Sequence, residues 1–294
     1  MVGRTVAGDG SALTAPVIVI GAARSGTKLL RDLMAGHNSL RAVPYDVNYI
    51  WRLGNERHAS DELPAESCRE PDAVRIRTFL AGYARGGATV VEKTVSNTLR
   101  VGFVDRVVPD ARYIHLVRDG RDVVASSYAQ WQARPDWRYM LGKARQYPLG
   151  QAPAYALQQA VAVMRRMRPG AEKALPVWGP RYAGIDEDLR TRTLVEVCAL
   201  QWVHCVDRAL DQLALLPPER TLTIHYAEFV TAPRATLERI AGFLGIDPDP
   251  YRAMQLGRVD PSIGGSFRHR LDGSDIDRVL QVIGPAMARL KYEM

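Results

Sequence analysis

Arg24, Ser25, Gly26, Thr27 and Lys28 bring two cations, two hydroxyls and a glycine together within five residues. Such a set grips an oxyanion, because the side chains supply charge and donors while the glycine admits a close backbone approach. The preceding run, Val17-Ile18-Val19-Ile20, is apolar and β-branched and reads as a buried parallel strand. Gly21, Ala22 and Ala23 form a small-residue turn, and Leu29, Leu30, Leu33 and Met34 mark the inner face of a helix that stops at Gly36. A strand, a tight turn and a helix N-terminus aim unpaired N–H groups and the positive end of the helix dipole at one point. The expected ligand carries phosphate or sulfate. A plain strand-to-helix connection with a surface Arg is the competing reading.

Gly21 and Gly26 have the spacing of a nucleoside-triphosphatase P-loop, G-x-x-x-x-G-K-[ST]. Here, however, Thr27 precedes Lys28. Reversing the pair turns each side chain by about 100° around the helix, away from the terminal phosphates and the magnesium ion. The loop therefore reads as an anion site that works without a metal.

A second strand-turn-helix follows: Ala111 to Val117, then Arg118-Asp119-Gly120-Arg121-Asp122, then Val123 to Tyr128. Its turn belongs at the carboxyl edge of a parallel sheet, where open α/β sheets bind ligands. Arg118 at the strand end and Ser126 two turns along are placed to hold another phosphate. The alternative is a surface ion pair of Arg118 with Asp119.

Together the two segments resemble the family of sulfotransferases that use 3′-phosphoadenosine 5′-phosphosulfate, in the R-S-G-T loop form of bacterial and tyrosylprotein members. Arg24-Ser25-Gly26-Thr27 is similar to the family's 5′-phosphosulfate loop, and Val117-Arg118-Asp119-Gly120-Arg121 with Ser126 to its 3′-phosphate motif. Glu92-Lys93-Thr94 and His225-Tyr226-Ala227-Glu228-Phe229 match two further segments, and the ordered set runs from about Val17 to the C-terminus. Two departures stand out. Lys28 replaces the usual second Thr, and no clear motif places the catalytic carboxylate.

The resemblance implies a nucleotide-kinase-like fold, a three-layer α/β/α sandwich with a central parallel sheet. It also implies sulfuryl transfer from that donor to an acceptor hydroxyl on a carbohydrate, lipid or small molecule. Arg24 and Lys93 would stabilise the transition state, while Ser25, Gly26, Thr27 and Lys28 would hold the 5′-phosphate. Arg118, Ser126 and Arg268 would hold the 3′-phosphate. The base would come from the stretch after the first helix, where Asp46 is the nearest carboxylate. A turn-forming Asp after Pro44 is the other reading. His37 and His58 are substitutes, although His37 suits a helix end, while His115 and His225 suit a core. A P-loop-type kinase and a non-catalytic nucleotide-binding module of the same fold are the rival readings.

The chain has 294 residues, 47% of them hydrophobic, and a formal charge of +7. That length suits one large α/β domain over residues 16–294 behind a flexible tail at 1–15. The positive charge suits an anionic ligand. Basic residues are scattered and no aromatic-basic motif appears, which argues against nucleic acid. Cys68, Cys198 and Cys205 form no paired framework, pointing to a reducing, cytoplasmic setting. No apolar run is long enough to span a bilayer. Residues 131–190 interrupt the α/β alternation with Trp131, Trp137, Tyr139, Tyr147, Tyr155, Trp178 and Tyr182. They read either as a helical lid and acceptor site or as a packing layer. Acceptor identity and any homo-oligomeric state stay open.

Overall fold

The computed structural model describes residues 13, 15–133, 177–256, 259 and 264–293. Most of the expected N-terminal tail and residues 134–176 of the expected insert lie outside the described residues. The chain divides into two compact units, Met1–Tyr128 with Gly179–Met294 and Ala129–Trp178.

Five strands form one parallel sheet in the order β2-β3-β1-β4-β5. They are β1 (Val17–Ile20), β2 (Leu40–Ala42), β3 (Thr89–Glu92), β4 (Arg112–Val117) and β5 (Thr221–His225). The helices are α1 (Thr27–Met34), α2 (Asn48–Trp51), α3 (Glu70–Ala81), α4 (Val101–Val107), α5 (Gly120–Gln132), α6 (Ile185–Thr191), α7 (Leu194–Leu213), α8 (Tyr226–Thr231), α9 (Pro233–Leu244), α10 (Asp249–Arg252) and α11 (Gly273–Arg289).

Every residue of β1 is buried because helices cover both sheet faces, which is why its sequence is a continuous apolar run rather than an alternation. Successive side chains still point to opposite sides. Ile18 and Ile20 join Tyr113, Trp51, Ile76 and Phe103 in one core. Val17 and Val19 join Ile114, Leu116, Leu30, Phe229 and Ile240 in the other. Two apolar layers on one parallel sheet make the expected three-layer α/β/α fold.

Some boundaries differ from those expected. Residues 38–71 read as irregular, yet they contain β2, a three-residue edge strand with one fully buried side chain, Leu40. So short a strand has no period to detect. Residues 73–85 read as helical in the sequence; α3 instead runs from Glu70 to Ala81, because Pro71 takes its first turn. Leu99 to Val108 reads as a helix in the sequence, and α4 fills it from Val101 to Val107, preceded by a 3₁₀ turn over Val95–Leu99. By contrast, α7 begins and ends where the apolar periodicity does. Thr193 and Glu196 close a reciprocal capping box at its start.

Candidate active site

The register of the sheet brings the three informative turns to one edge. β1 lies between β3 and β4, so the turns after Ile20, Glu92 and Val117 all open at the carboxyl end. The turn after β1 is held tightly there. A Cβ on Gly21 would lie 2.5 Å from the Leu116 carbonyl oxygen. Gly26, at φ 89° as the N-cap of α1, presses against the Tyr226 ring, which a Cβ would meet at 2.5 Å. The Gly21 N–H donates to Thr98 Oγ1 at 3.0 Å, and that hydroxyl returns a bond to the Gly21 carbonyl at 3.0 Å. The 3₁₀ turn after β3 is thereby fastened to the loop after β1.

Cationic groups converge on this loop. Arg24 holds a left-handed backbone at φ 68°, and its carbonyl accepts from Arg118 Nη1 at 3.1 Å. Its Nε donates to Ser126 Oγ at 2.9 Å. Burial, then Arg118, then Arg270 lower the pKa of Arg24, as expected where cations crowd together in a partly dry site. The Arg118 guanidinium lies over the Tyr226 ring, 4.4 Å from its centroid. Ser25 is 1% exposed, and among the described residues its hydroxyl has no hydrogen-bond partner. The first N–H groups of α1 have no acceptor within the helix. Crowded guanidinium groups, an unpartnered buried hydroxyl and a helix start suit a polyanion bearing phosphate or sulfate oxygens.

The turn after β3 carries a different arrangement. Lys93 is 8% exposed, and its Nζ lies 3.6 Å from Asp46 Oδ2. Asp46 accepts from the Asn48 N–H at 3.2 Å through Oδ1 and from the Val95 N–H at 3.0 Å through Oδ2. Its side chain keeps 31% exposure, so part of it reaches solvent. Beneath it the Glu92 carboxylate is fully buried and accepts from Thr94 Oγ1 and Asn97 Nδ2. Burial pushes the Glu92 pKa up to about 7, against the Thr94 hydrogen bond and with help from Asp46.

The structure thus brings together Arg24, Arg118 and Ser126 on one side of the edge, and Lys93 and Asp46 on the other. Two expected phosphate ligands stand apart. Lys28 is 69% exposed along α1 and pairs with Asp32 at 3.3 Å, because the two are a helical turn apart. Arg268 is exposed and lies over Phe267 at 4.8 Å; Arg270, also exposed, adds to the charge that lowers the Arg24 pKa. The sequence signal for Arg270 was its place two residues along the same basic run. Three of the histidines hold hydrogen bonds within the fold. His37 Nε2 bonds the Asp247 carbonyl at 2.8 Å, His58 Nδ1 the Ser60 carbonyl at 3.0 Å, and His225 Nδ1 the Tyr292 hydroxyl at 3.3 Å. His115 is buried in β4, where burial and then His225 hold its pKa down at about 4. Tyr182 is 1% exposed and stacks on His204, so it is core rather than acceptor surface.

The loop that ends at Arg270 is held by a residue with no chemical signature in the sequence. Asp122, 3% exposed at the start of α5, accepts from the Gly265 N–H at 2.9 Å, the Phe267 N–H at 3.1 Å and Ser266 Oγ at 3.3 Å. It also lies 3.9 Å from Arg118 Nη2. Among the described residues, no three His, Cys, Asp or Glu side chains gather to hold a metal, and no helix is long and apolar enough to cross a membrane.

A parallel sheet between two helical layers, with cation-bearing turns at its carboxyl edge, defines a three-layer α/β protein. Comparison makes the class narrower: a family model described as the sulfotransferase family matches residues 16–178 and 178–250, and the chain belongs to that family. The fold is similar to the sulfotransferase domain from the curacin biosynthetic pathway, with 16% identity, a TM-score of 0.52, and coverage of 97% of this chain and 100% of that one. It is also similar to a sulfotransferase from Alicyclobacillus acidocaldarius, at 17% identity and TM-score 0.53, covering 95% of this chain and 97% of the other. A Mycobacterium avium sulfotransferase gives 12% identity and TM-score 0.54 over 97% and 79%. No curated protein sequence matches.

Proposed function

We propose that this protein transfers a sulfuryl group from 3′-phosphoadenosine 5′-phosphosulfate to an acceptor hydroxyl by in-line displacement. The observation that carries the reading is the joining of Arg24, Ser126 and Arg118 across the ends of β1 and β4. It lies beside the unpartnered Ser25 hydroxyl at the start of α1. The donor supplies the activated sulfuryl group; positioning and charge are the protein's part. The Ser25 hydroxyl and the first N–H groups of α1 bind the 5′-phosphate, and Arg118, Ser126 and Arg270 bind the 3′-phosphate. Arg24 and Lys93 act on the charge that shifts to the leaving phosphate. Asp46 takes the acceptor proton, with Lys93 Nζ 3.6 Å away to face the same acceptor oxygen. A kinase would need magnesium.

Calorimetric titration with adenosine 3′,5′-bisphosphate and with ATP, each with and without magnesium, tests the donor assignment. The bisphosphate should bind more tightly and without dependence on the metal. Arg118→Ala should weaken its binding by about 1.5–3 kcal/mol, typical for a charged hydrogen bond, while barely changing binding of adenosine monophosphate. Equal loss for both ligands would remove Arg118 from the 3′-phosphate site. Sulfate transfer to a panel of sugars, phenols and lipid headgroups then identifies the acceptor.

A further inference from the structure

Asp61 has no place in the sequence motifs, yet it is a buried hub below the Lys93 side of the edge. It is 2% exposed. Its Oδ1 accepts from Asn48 Nδ2 at 3.1 Å and Arg52 Nη1 at 2.8 Å. Its Oδ2 accepts from Ser96 Oγ at 2.8 Å and from the Arg181 N–H at 2.9 Å. Arg100, fully buried, places Nη1 3.9 Å from Oδ1. Burial alone would raise the Asp61 pKa, but Arg100 and these hydrogen bonds outweigh it and keep it below the usual carboxylate range. A buried anion with both oxygens doubly satisfied is a rigid fixture, and breaking it leaves uncompensated cations.

The groups it fixes are the ones that hold Asp46. The Asn48 side chain is tied to Asp61, while the backbone N–H of Asn48 donates to Asp46 Oδ1. Ser96 is tied to Asp61, while the N–H of its neighbour Val95 donates to Asp46 Oδ2. Arg100 braces the same frame, donating to Asn48 Oδ1 through Nη2 and to Asn97 Oδ1 through Nε. The two N–H donors come from α2 and from the 3₁₀ turn after β3, segments far apart in sequence that Asp61 joins. We propose that Asp61 is a positioning residue that sets the orientation of the Asp46 carboxylate against Lys93. This rests on the reading of Asp46 as the base.

The test uses Asp61→Asn in the full chain, alone and combined with Asp46→Asn. Asparagine keeps the size but turns one acceptor into a donor and leaves Arg52 and Arg100 without an anion. The rate read is release of adenosine 3′,5′-bisphosphate from 3′-phosphoadenosine 5′-phosphosulfate, with water or 4-nitrophenol as acceptor. Asp61→Asn should slow release by about 10-fold or more, leave bisphosphate affinity within about twofold, and cause no further loss in the Asp46→Asn background, since residues acting as a unit are not additive. Amide exchange at Asn48 and Val95 should quicken by about 10-fold, while the amides of β1 and β4 keep their protection. The same proportional loss with and without Asp46, or unchanged exchange at Asn48 and Val95, overturns the proposal. If Asp46→Asn turns over normally, the base assignment fails instead. The exchange at those two amides then decides by itself whether Asp61 sets the carboxylate.

Discussion

Arg24 holds a left-handed backbone conformation at φ 68°, which costs a residue with a Cβ about 1–3 kcal/mol. In return, its carbonyl is turned onto Arg118 and its guanidinium onto Ser126. Strain of this kind persists where the site needs the side chain more than the fold needs the backbone. Arg24→Gly should therefore keep or raise the melting temperature while turnover falls, because glycine takes the same φ freely. A variant that loses both stability and turnover would show the guanidinium to be a structural brace. Arg24 and Lys93 are also expected to act where charge develops in the transition state. Alanine at either position should lower kcat more than it raises the donor KM. A raised KM with intact kcat would make them binding residues alone.

At the scale of elements, the loop bearing Arg270 depends on Asp122. Three donors from residues 265–267 end on that carboxylate, and Phe267 is covered by the Arg121 guanidinium at 5.3 Å. Asp122→Ala leaves two backbone N–H groups without their acceptor, a cost of about 1–3 kcal/mol for each buried group. Cleavage by trypsin after Arg268 and Arg270 should become faster, and bisphosphate binding weaker by about 10-fold; unchanged proteolysis would mean that the loop is held by Phe267 packing instead. Asp122 shows where sequence reading stops. The continuous apolar run of β1, the small-residue turn and the capped periodicity of α7 each leave a local signal, so the sheet edge and its turns were legible. Asp122, Asp61 and Thr98 act on residues more than thirty positions away, and their types suit any surface turn. Arg268 and Arg270 carry the same charge two residues apart, and nothing in their types tells that Arg270 is the one whose charge lowers the Arg24 pKa.

Across the whole molecule, two buried ionisable groups in the sheet pull stability in opposite directions as pH changes. Glu92, at the end of β3, has its pKa raised from 4.5 to about 7 by burial. The folded state therefore binds its proton more strongly, and this contribution is fully present below pH 4.5 and lost as pH rises through about 7. His115, in β4, has its pKa lowered from 6.5 to about 4, chiefly by burial. Its contribution is present above pH 6.5 and lost as pH falls through about 4. Shifts of this size are each worth about 3 kcal/mol. Their windows overlap, so the slopes nearly cancel between pH 4.5 and 6.5. Glu62, depressed from 4.5 to about 2, acts only below that window. Denaturant unfolding at a series of pH values should give a flat profile for the native chain between 4.5 and 6.5. Glu92→Gln should uncover the His115 slope, with stability rising by about 3 kcal/mol from pH 4 to 6.5. His115→Asn should uncover the opposite slope, with stability falling by about as much from pH 4.5 to 7. If either variant keeps the native profile, the group it removes has the same pKa folded and unfolded, and its burial is relieved by contacts with water.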